Sequence, residues 1–147
     1  MYFWTALVLI LIIDRLTKHL VVTQMLVGQT IPLIPNFLHI TYVKNPGAAF
    51  GILAEKTWFF IIITILILAA LFYLAYTEGK KSAFLAVTLG LVAGGAIGNL
   101  IDRMQTGLVI DYLDFRGIWP FVFNMADSAI VVGMILLAYY VLKFDKI

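Results

Sequence analysis

No cysteine occurs in the 147 residues, which excludes a disulfide framework, a thiolate metal site and a cysteine nucleophile. Charge is scarce. Lys, Arg, Asp and Glu make up 12% of the chain, against about 25% in a soluble domain. A soluble domain of this size has more surface than so few charges can cover. The net charge of +2 is no basic footprint for nucleic acid. The two histidines, His19 and His39, form no His-Glu-x-x-His run, so a zinc protease site is a poor reading. Each reads as an ordinary interfacial residue. The two serines are Ser82 and Ser128. No glycine-rich nucleophile turn surrounds Ser128, so a Ser–Lys dyad with Lys18 gives way to simple packing. No P-loop or dinucleotide fingerprint is present. The pattern calls for no metal and no cofactor.

What remains is apolar. Hydrophobic residues make up 63% of the chain, and its mean hydropathy is +1.05. Four stretches reach the ~20 residues a helix needs to cross a bilayer. They cover residues 2–25, 58–76, 83–101 and 119–142. The expected fold is therefore an all-α membrane protein with four transmembrane helices, a single integral domain over residues 1–147. The first stretch lacks a basic leading region, and Asp14, Arg15 and Lys18 stand where a signal-peptide cleavage site would be, so it reads as a retained span. Basic residues are densest in the short loop at Lys80 and Lys81 and in the tail at Lys143 and Lys146, which predicts cytoplasmic termini. Residues 27–56 and 107–117 are then outside. In the first of these, Leu38, Ile40 and Tyr42 alternate with His39, Thr41 and Lys44 behind Pro32 and Pro35. That predicts a small β-rich extracytoplasmic element between helices 1 and 2. The second is too short for a domain. Gly90, Gly94 and Gly98 recur at four-residue spacing, which reads as a close helix–helix contact.

An ionisable residue in a span costs about 2.5–3.5 kcal/mol on insertion scales, so it is a functional candidate by default. The candidates are Asp14, Arg15 and Lys18 in span one, Asn99, Asp102 and Arg103 closing span three, and Asn124 and Asp127 in span four. The predicted orientation puts all of them near the outer leaflet. Asp127 is placed roughly 12 Å of helix inside the fourth span. One polar site just below a surface fits this pattern better than a path across the membrane. Asp14 with Lys18, and Asn99 with Arg103, are i,i+4 pairs; Asn124 with Asp127 is i,i+3. These pairs, and the adjacent Asp102–Arg103, read equally well as clamps between helices.

By elimination the chemistry falls to carboxylates. Two carboxyl groups near 3 Å apart share one proton, so one can deprotonate water while the other protonates the substrate. Spacing leaves Asp14, Asp102, Asp111, Asp114 and Asp127 all open. Asp14 and Asp102 each have a close cation that favours permanent ionisation. Asp111 and Asp127 lie on separate segments and have none in sequence.

Five motifs in order carry a resemblance: Asp14-Arg-Leu-Thr-Lys18, Asn45-Pro-Gly-Ala-Ala-Phe50, Gly94-Gly-Ala-Ile-Gly-Asn-Leu-Ile-Asp-Arg103, Val109-Ile-Asp-Tyr-Leu113 and Phe123-Asn-Met-Ala-Asp127. With four spans in the same order, the chain resembles the bacterial lipoprotein signal peptidases, signal peptidase II. The resemblance implies an aspartyl endopeptidase of the bacterial cytoplasmic (inner) membrane. Such an enzyme removes the signal peptide from diacylglyceryl-modified prolipoproteins, cutting before the lipidated cysteine. It implies Asp111 and Asp127 as the catalytic dyad. It implies Asp14, Lys18, Asn45, Gly47, Asn99, Asp102, Arg103 and Asn124 as substrate-binding or supporting residues, with Gly47 letting the outer loop fold over substrate. It further implies lipid-modified prolipoprotein, membrane lipids and globomycin-like inhibitors as partners, and a monomer. Tyr112 departs from the family's usual phenylalanine. The competing readings are a transporter or channel subunit with intramembrane carboxylates, and a purely structural bundle. A presenilin-type protease is disfavoured, because no Gly-x-Gly-Asp precedes these aspartates.

Overall fold

The computed structural model describes residues 1–47 and 56–144. Its elements are α1 (Tyr2–Gln24), β1 (Thr30–Ile34), β2 (Leu38–Asn45), α2 (Thr57–Thr77), α3 (Ala83–Thr106), β3 (Val109–Phe115), β4 (Val122–Phe123) and α4 (Met125–Phe144). Lys146 and the Ala48–Phe50 part of the second motif lie outside the described residues.

Of the four helices, α2, α3 and α4 are long and apolar enough to cross a membrane. α1 is as long but carries Asp14, Arg15 and Lys18. α3 is the buried hub, packed against α1, α4 and α2. Its glycines explain why. A Cβ at Gly90 would strike the carbonyl oxygen of Phe3, one at Gly94 would lie 2.7 Å from that of Leu7, and one at Gly98 would strike the Asp14 carboxylate. Gly95 has the same relation to Ala126 of α4. The glycine spacing therefore marks close packing, as expected, with one face toward α1. Leu68, Leu71, Leu85 and Leu89 fill the core beside Phe3 and Leu7. Outward, α2 shows Ile62, Ile65 and Leu66, and α4 shows Val131, Val132 and Ile135. This is an apolar coat that water would not tolerate over such an area.

Helix ends are set locally. The Ser82 hydroxyl accepts from Leu85 N–H and starts α3. Gly107, at φ 76°, ends it with its N–H on the Arg103 carbonyl. α4 starts in a reciprocal capping box: Asn124 Oδ1 accepts from Asp127 N–H at 2.9 Å, and Asp127 Oδ2 accepts from Asn124 N–H at 3.2 Å.

The four strands form one antiparallel sheet in the order β1-β2-β3-β4. Val43 pairs with Asp111 and Asn45 with Val109, after a register shift between Ile40 and Val43. Val21 and Met25 near the end of α1 pack with Tyr42 and Tyr112 of the sheet. Two expectations are corrected here. The β element is not confined to the connection between α1 and α2. Half its strands come from residues between α3 and α4, because β3 supplies the partner that β2 needs on its second edge. The last helix begins at Met125 rather than near residue 119, because Val122 and Phe123 pair with β3 and Asn124 caps the helix. Asp127 therefore sits in the first turn of α4 rather than two turns inside.

Candidate active site

Every polar residue singled out in the three charged helices ends up where α1, α3, β3 and α4 meet. At its centre is the Lys18 ammonium, with no exposed side-chain surface. Three oxygens surround it: Asp102 Oδ2 at 2.8 Å, Asn99 Oδ1 at 2.9 Å and Asp14 Oδ2 at 3.0 Å. Arg15 also pairs with Asp102. Two acids and two cations make the cluster neutral, which is how buried charge becomes tolerable. The cluster also joins elements. Asp14 Oδ1 accepts from Ala126 N–H of α4 at 3.1 Å, and Asp102 Oδ2 from Ile110 N–H of β3 at 3.3 Å. The i,i+4 pair of Asp14 and Lys18 forms as expected. The adjacent Asp102–Arg103 pair does not, since neighbours on a helix point about 100° apart. Arg103 turns instead to a cleft, over the Phe60 ring at 5.1 Å. Arg15, a candidate as an ionisable residue of the first span but not among the site residues the resemblance implies, takes its place.

The cleft has a volume of about 900 Å³. Asp111 and Asp127 both line it, with Asn45, Gly47, Asn99 and Arg103. Apart from Ser128 its remaining wall is apolar, including Trp119, Phe121, Ile130 and Val131. Asp111 Oδ1 accepts from Asn124 Nδ2 at 2.7 Å, and its Oδ2 from Asn45 Nδ2 at 2.9 Å. Asp127 Oδ1 accepts from Asn99 Nδ2 at 2.7 Å. Asn124 thus grips both acids, one through its side chain and one through the cap. It is fully buried, and its Nδ2 also reaches Asn99 Oδ1 at 3.1 Å. Burial first, then the nearby Asp127 charge, push the Asp111 carboxyl up to about 7. The Asn45 and Asn124 hydrogen bonds hold it from rising further.

The other candidates are elsewhere. Desolvation pushes the Asp114 carboxyl up, but the hydrogen bonds from Thr41 and Arg116 and the Arg116 charge together outweigh it and keep it below the usual carboxylate range. His39 is buried opposite it on β2, with neither ring nitrogen hydrogen-bonded. Ser128 donates to the Asn124 carbonyl at 2.9 Å, while Lys18 is engaged with Asn99, Asp14 and Asp102, so no Ser–Lys dyad forms. Gly47 donates its N–H to Asn45 Oδ1 at 3.0 Å, fixing the Asn45 amide toward Asp111. Any fold-over beyond it belongs to residues 48–55, outside the described residues. Tyr112, the position that departs from the resembled family, donates to Thr17 Oγ1 at 2.6 Å and accepts from Met125 N–H at 3.3 Å.

The family model described as signal peptidase (SPase) II matches residues 6–143. A lipoprotein signal peptidase of Desulfitobacterium hafniense is 48% identical over 146 residues, 99% of this chain and 96% of the relative. One of Clostridioides difficile is 45% identical over 141 residues, covering 95% and 94%. A solved bacterial membrane enzyme, obtained by the in meso method, matches 97% of this chain and 88% of its own with a TM-score of 0.91 at 41% identity.

Proposed function

The chain belongs to the signal peptidase II family and is an aspartic-type endopeptidase, and from that premise we propose that Asp111 and Asp127 are its catalytic dyad. Membership sets aside the transporter and purely structural readings. Proteins of this family act in the bacterial inner membrane on prolipoproteins. The observation that carries the dyad is Asn124, hydrogen-bonded to both carboxylates beside one cleft. Among the described residues, no other aspartate lines that cleft.

The proposed reaction uses one proton shared by the dyad. The ionised carboxylate takes a proton from water as the water oxygen bonds to the scissile carbonyl carbon. The protonated carboxyl gives its proton to the carbonyl oxygen, forming a gem-diol. In the second half the gem-diol returns a proton to the now ionised acid. The first carboxyl protonates the amide nitrogen as the C–N bond breaks, leaving a new carboxyl and a new amine. The apolar wall suits a signal-peptide segment and the acyl chains of a diacylglyceryl cysteine, and the cut falls before that cysteine. Asp14, Lys18, Asn45, Gly47, Asn99, Asp102, Arg103 and Asn124 support the site or bind substrate.

In this reading α1 also spans the membrane, giving four spans in one domain with both termini cytoplasmic. The sheet and the dyad then sit at the outer leaflet, where the lipidated substrate lies. The enzyme works as a monomer and is blocked by globomycin-like cyclic peptides. The test is a gel-shift cleavage assay in detergent micelles, with a diacylglyceryl prolipoprotein and its unlipidated twin. Wild type is expected to cut only the lipidated form, and Asp111→Asn and Asp127→Asn to lose at least about 10³-fold while remaining folded. Cleavage that survives either substitution would move the dyad to another carboxylate.

A further inference from the structure

The two carboxylates are not held alike. Asp127 Oδ1 accepts from Asn99 Nδ2 at 2.7 Å, and the far end of that amide, Asn99 Oδ1, accepts from Lys18 Nζ at 2.9 Å. A cation therefore stands one amide away from Asp127. Asp111 also has two amide donors, but the far ends of those amides meet only neutral backbone. Asn124 Oδ1 accepts from Asp127 N–H at 2.9 Å, and Asn45 Oδ1 from Gly47 N–H at 3.0 Å. An amide whose oxygen holds an ammonium loses electron density from its nitrogen and becomes a stronger donor. In a dry interior such linked hydrogen bonds strengthen one another. Lys18 cannot turn away, being fully buried between Asp14 and Asp102.

We propose that Lys18, acting through the Asn99 amide, decides where the shared proton rests: Asp127 carries the charge and deprotonates water, while Asp111 keeps the proton and donates it to the scissile carbonyl. This rests on the dyad reading above. Lys18 and Asn99 are then positioning residues, since both act through Asp127. Burial and then the Asp127 charge lift Asp111 to about 7, which is consistent with a proton on Asp111 near neutral pH while Asp127 is charged. The charged groups facing the dyad are Arg103 from α3, which lines the cleft, and Lys18 from α1, with Asp14 and Asp102 behind it.

The experiment is kcat and KM against pH for the full chain in micelles with lipidated prolipoprotein, comparing wild type, Asn99→Ser and Asn45→Ser. The acid limb reports protonation of the charged carboxylate, and the basic limb reports loss of the shared proton. Asn99→Ser is expected to lower kcat about 10–100-fold with KM within about twofold, and to move the acid limb up by about one pH unit. Asn45→Ser is expected to move the basic limb up and leave the acid limb in place, because Asp111 loses a donor that favours its charged form. Limbs that respond the other way round would overturn the assignment while leaving the dyad standing. A fall in kcat with neither limb moved would make Asn99 a structural residue and also overturn it. Where Asn99→Ser fails to fold, Asn99→Thr takes its place, since it likewise removes the N–H toward Asp127 and adds no charge beside it. The same rise of the acid limb is then expected, and an unmoved limb overturns the proposal. Failure of the dyad itself looks different: Asp111→Asn or Asp127→Asn would still cleave.

Discussion

Tyr112 has two partners for its hydroxyl, Thr17 on α1 and the first N–H of α4, so one atom ties the sheet to both helices. Burial foremost pushes its phenol up to about 12, and it stays a neutral donor at working pH. Tyr112→Phe removes both bonds but keeps the ring. It is expected to lower stability by about 1 kcal/mol, read as a fall in Tm in one detergent, with cleavage reduced less than threefold. A larger loss of cleavage than of stability would mean that the hydroxyl serves the chemistry. At this scale the sequence was informative about residue types and poor about partners. That Asp14 and Lys18 pair was legible, because one helix fixes both. That Asp102 answers Arg15 was not, because the partner lies 87 positions away and only the packing of α1 on α3 brings it near. Asp111 and Asp127 stood out for lacking a cation, yet the asparagines that hold them come from three separate segments.

At the scale of elements, α1 and α3 touch along a line of missing side chains. The sharpest test is Gly98, where an added Cβ would meet the Asp14 carboxylate. Gly98→Ala is expected to cost roughly 1–3 kcal/mol through overpacking. It should also depress cleavage beyond that loss, because it displaces the acid that pairs with Lys18. Thermal unfolding and cleavage rate, measured on the same preparation, separate the two effects. The helices themselves were legible from apolar length. The glycine spacing gave the contact, though not its partner. The sheet was only half legible. Alternation marks β2, but a seven-residue strand between two apolar runs carries too short a pattern to be told from a loop. For the same reason the apolar pattern starts α4 too early: an apolar run does not reveal that two of its residues pair with another strand.

For the whole molecule, the polar network lies at one end of the bundle, while apolar side chains coat the outside. The absence of natural cysteine makes the proposed orientation simple to test with single substitutions. Leu26, between α1 and β1, is 79% exposed, and Lys80 lies exposed in the turn between α2 and α3. In intact cells a membrane-impermeant maleimide is expected to label Leu26→Cys and spare Lys80→Cys, which reacts only after the membrane is opened. The reverse pattern would invert the topology and put the dyad on the cytoplasmic face. Asn124 has a last consequence at this scale. It is both the cap that lets α4 begin and the bridge between the two acids. Until α4 has formed and β3 has docked against it, the proposed dyad has no bridge between its two acids. On the dyad reading, a newly inserted, half-assembled chain is harmless to its neighbours: its latency comes from the order of assembly, and proteolytic competence arrives with the final closure of the bundle.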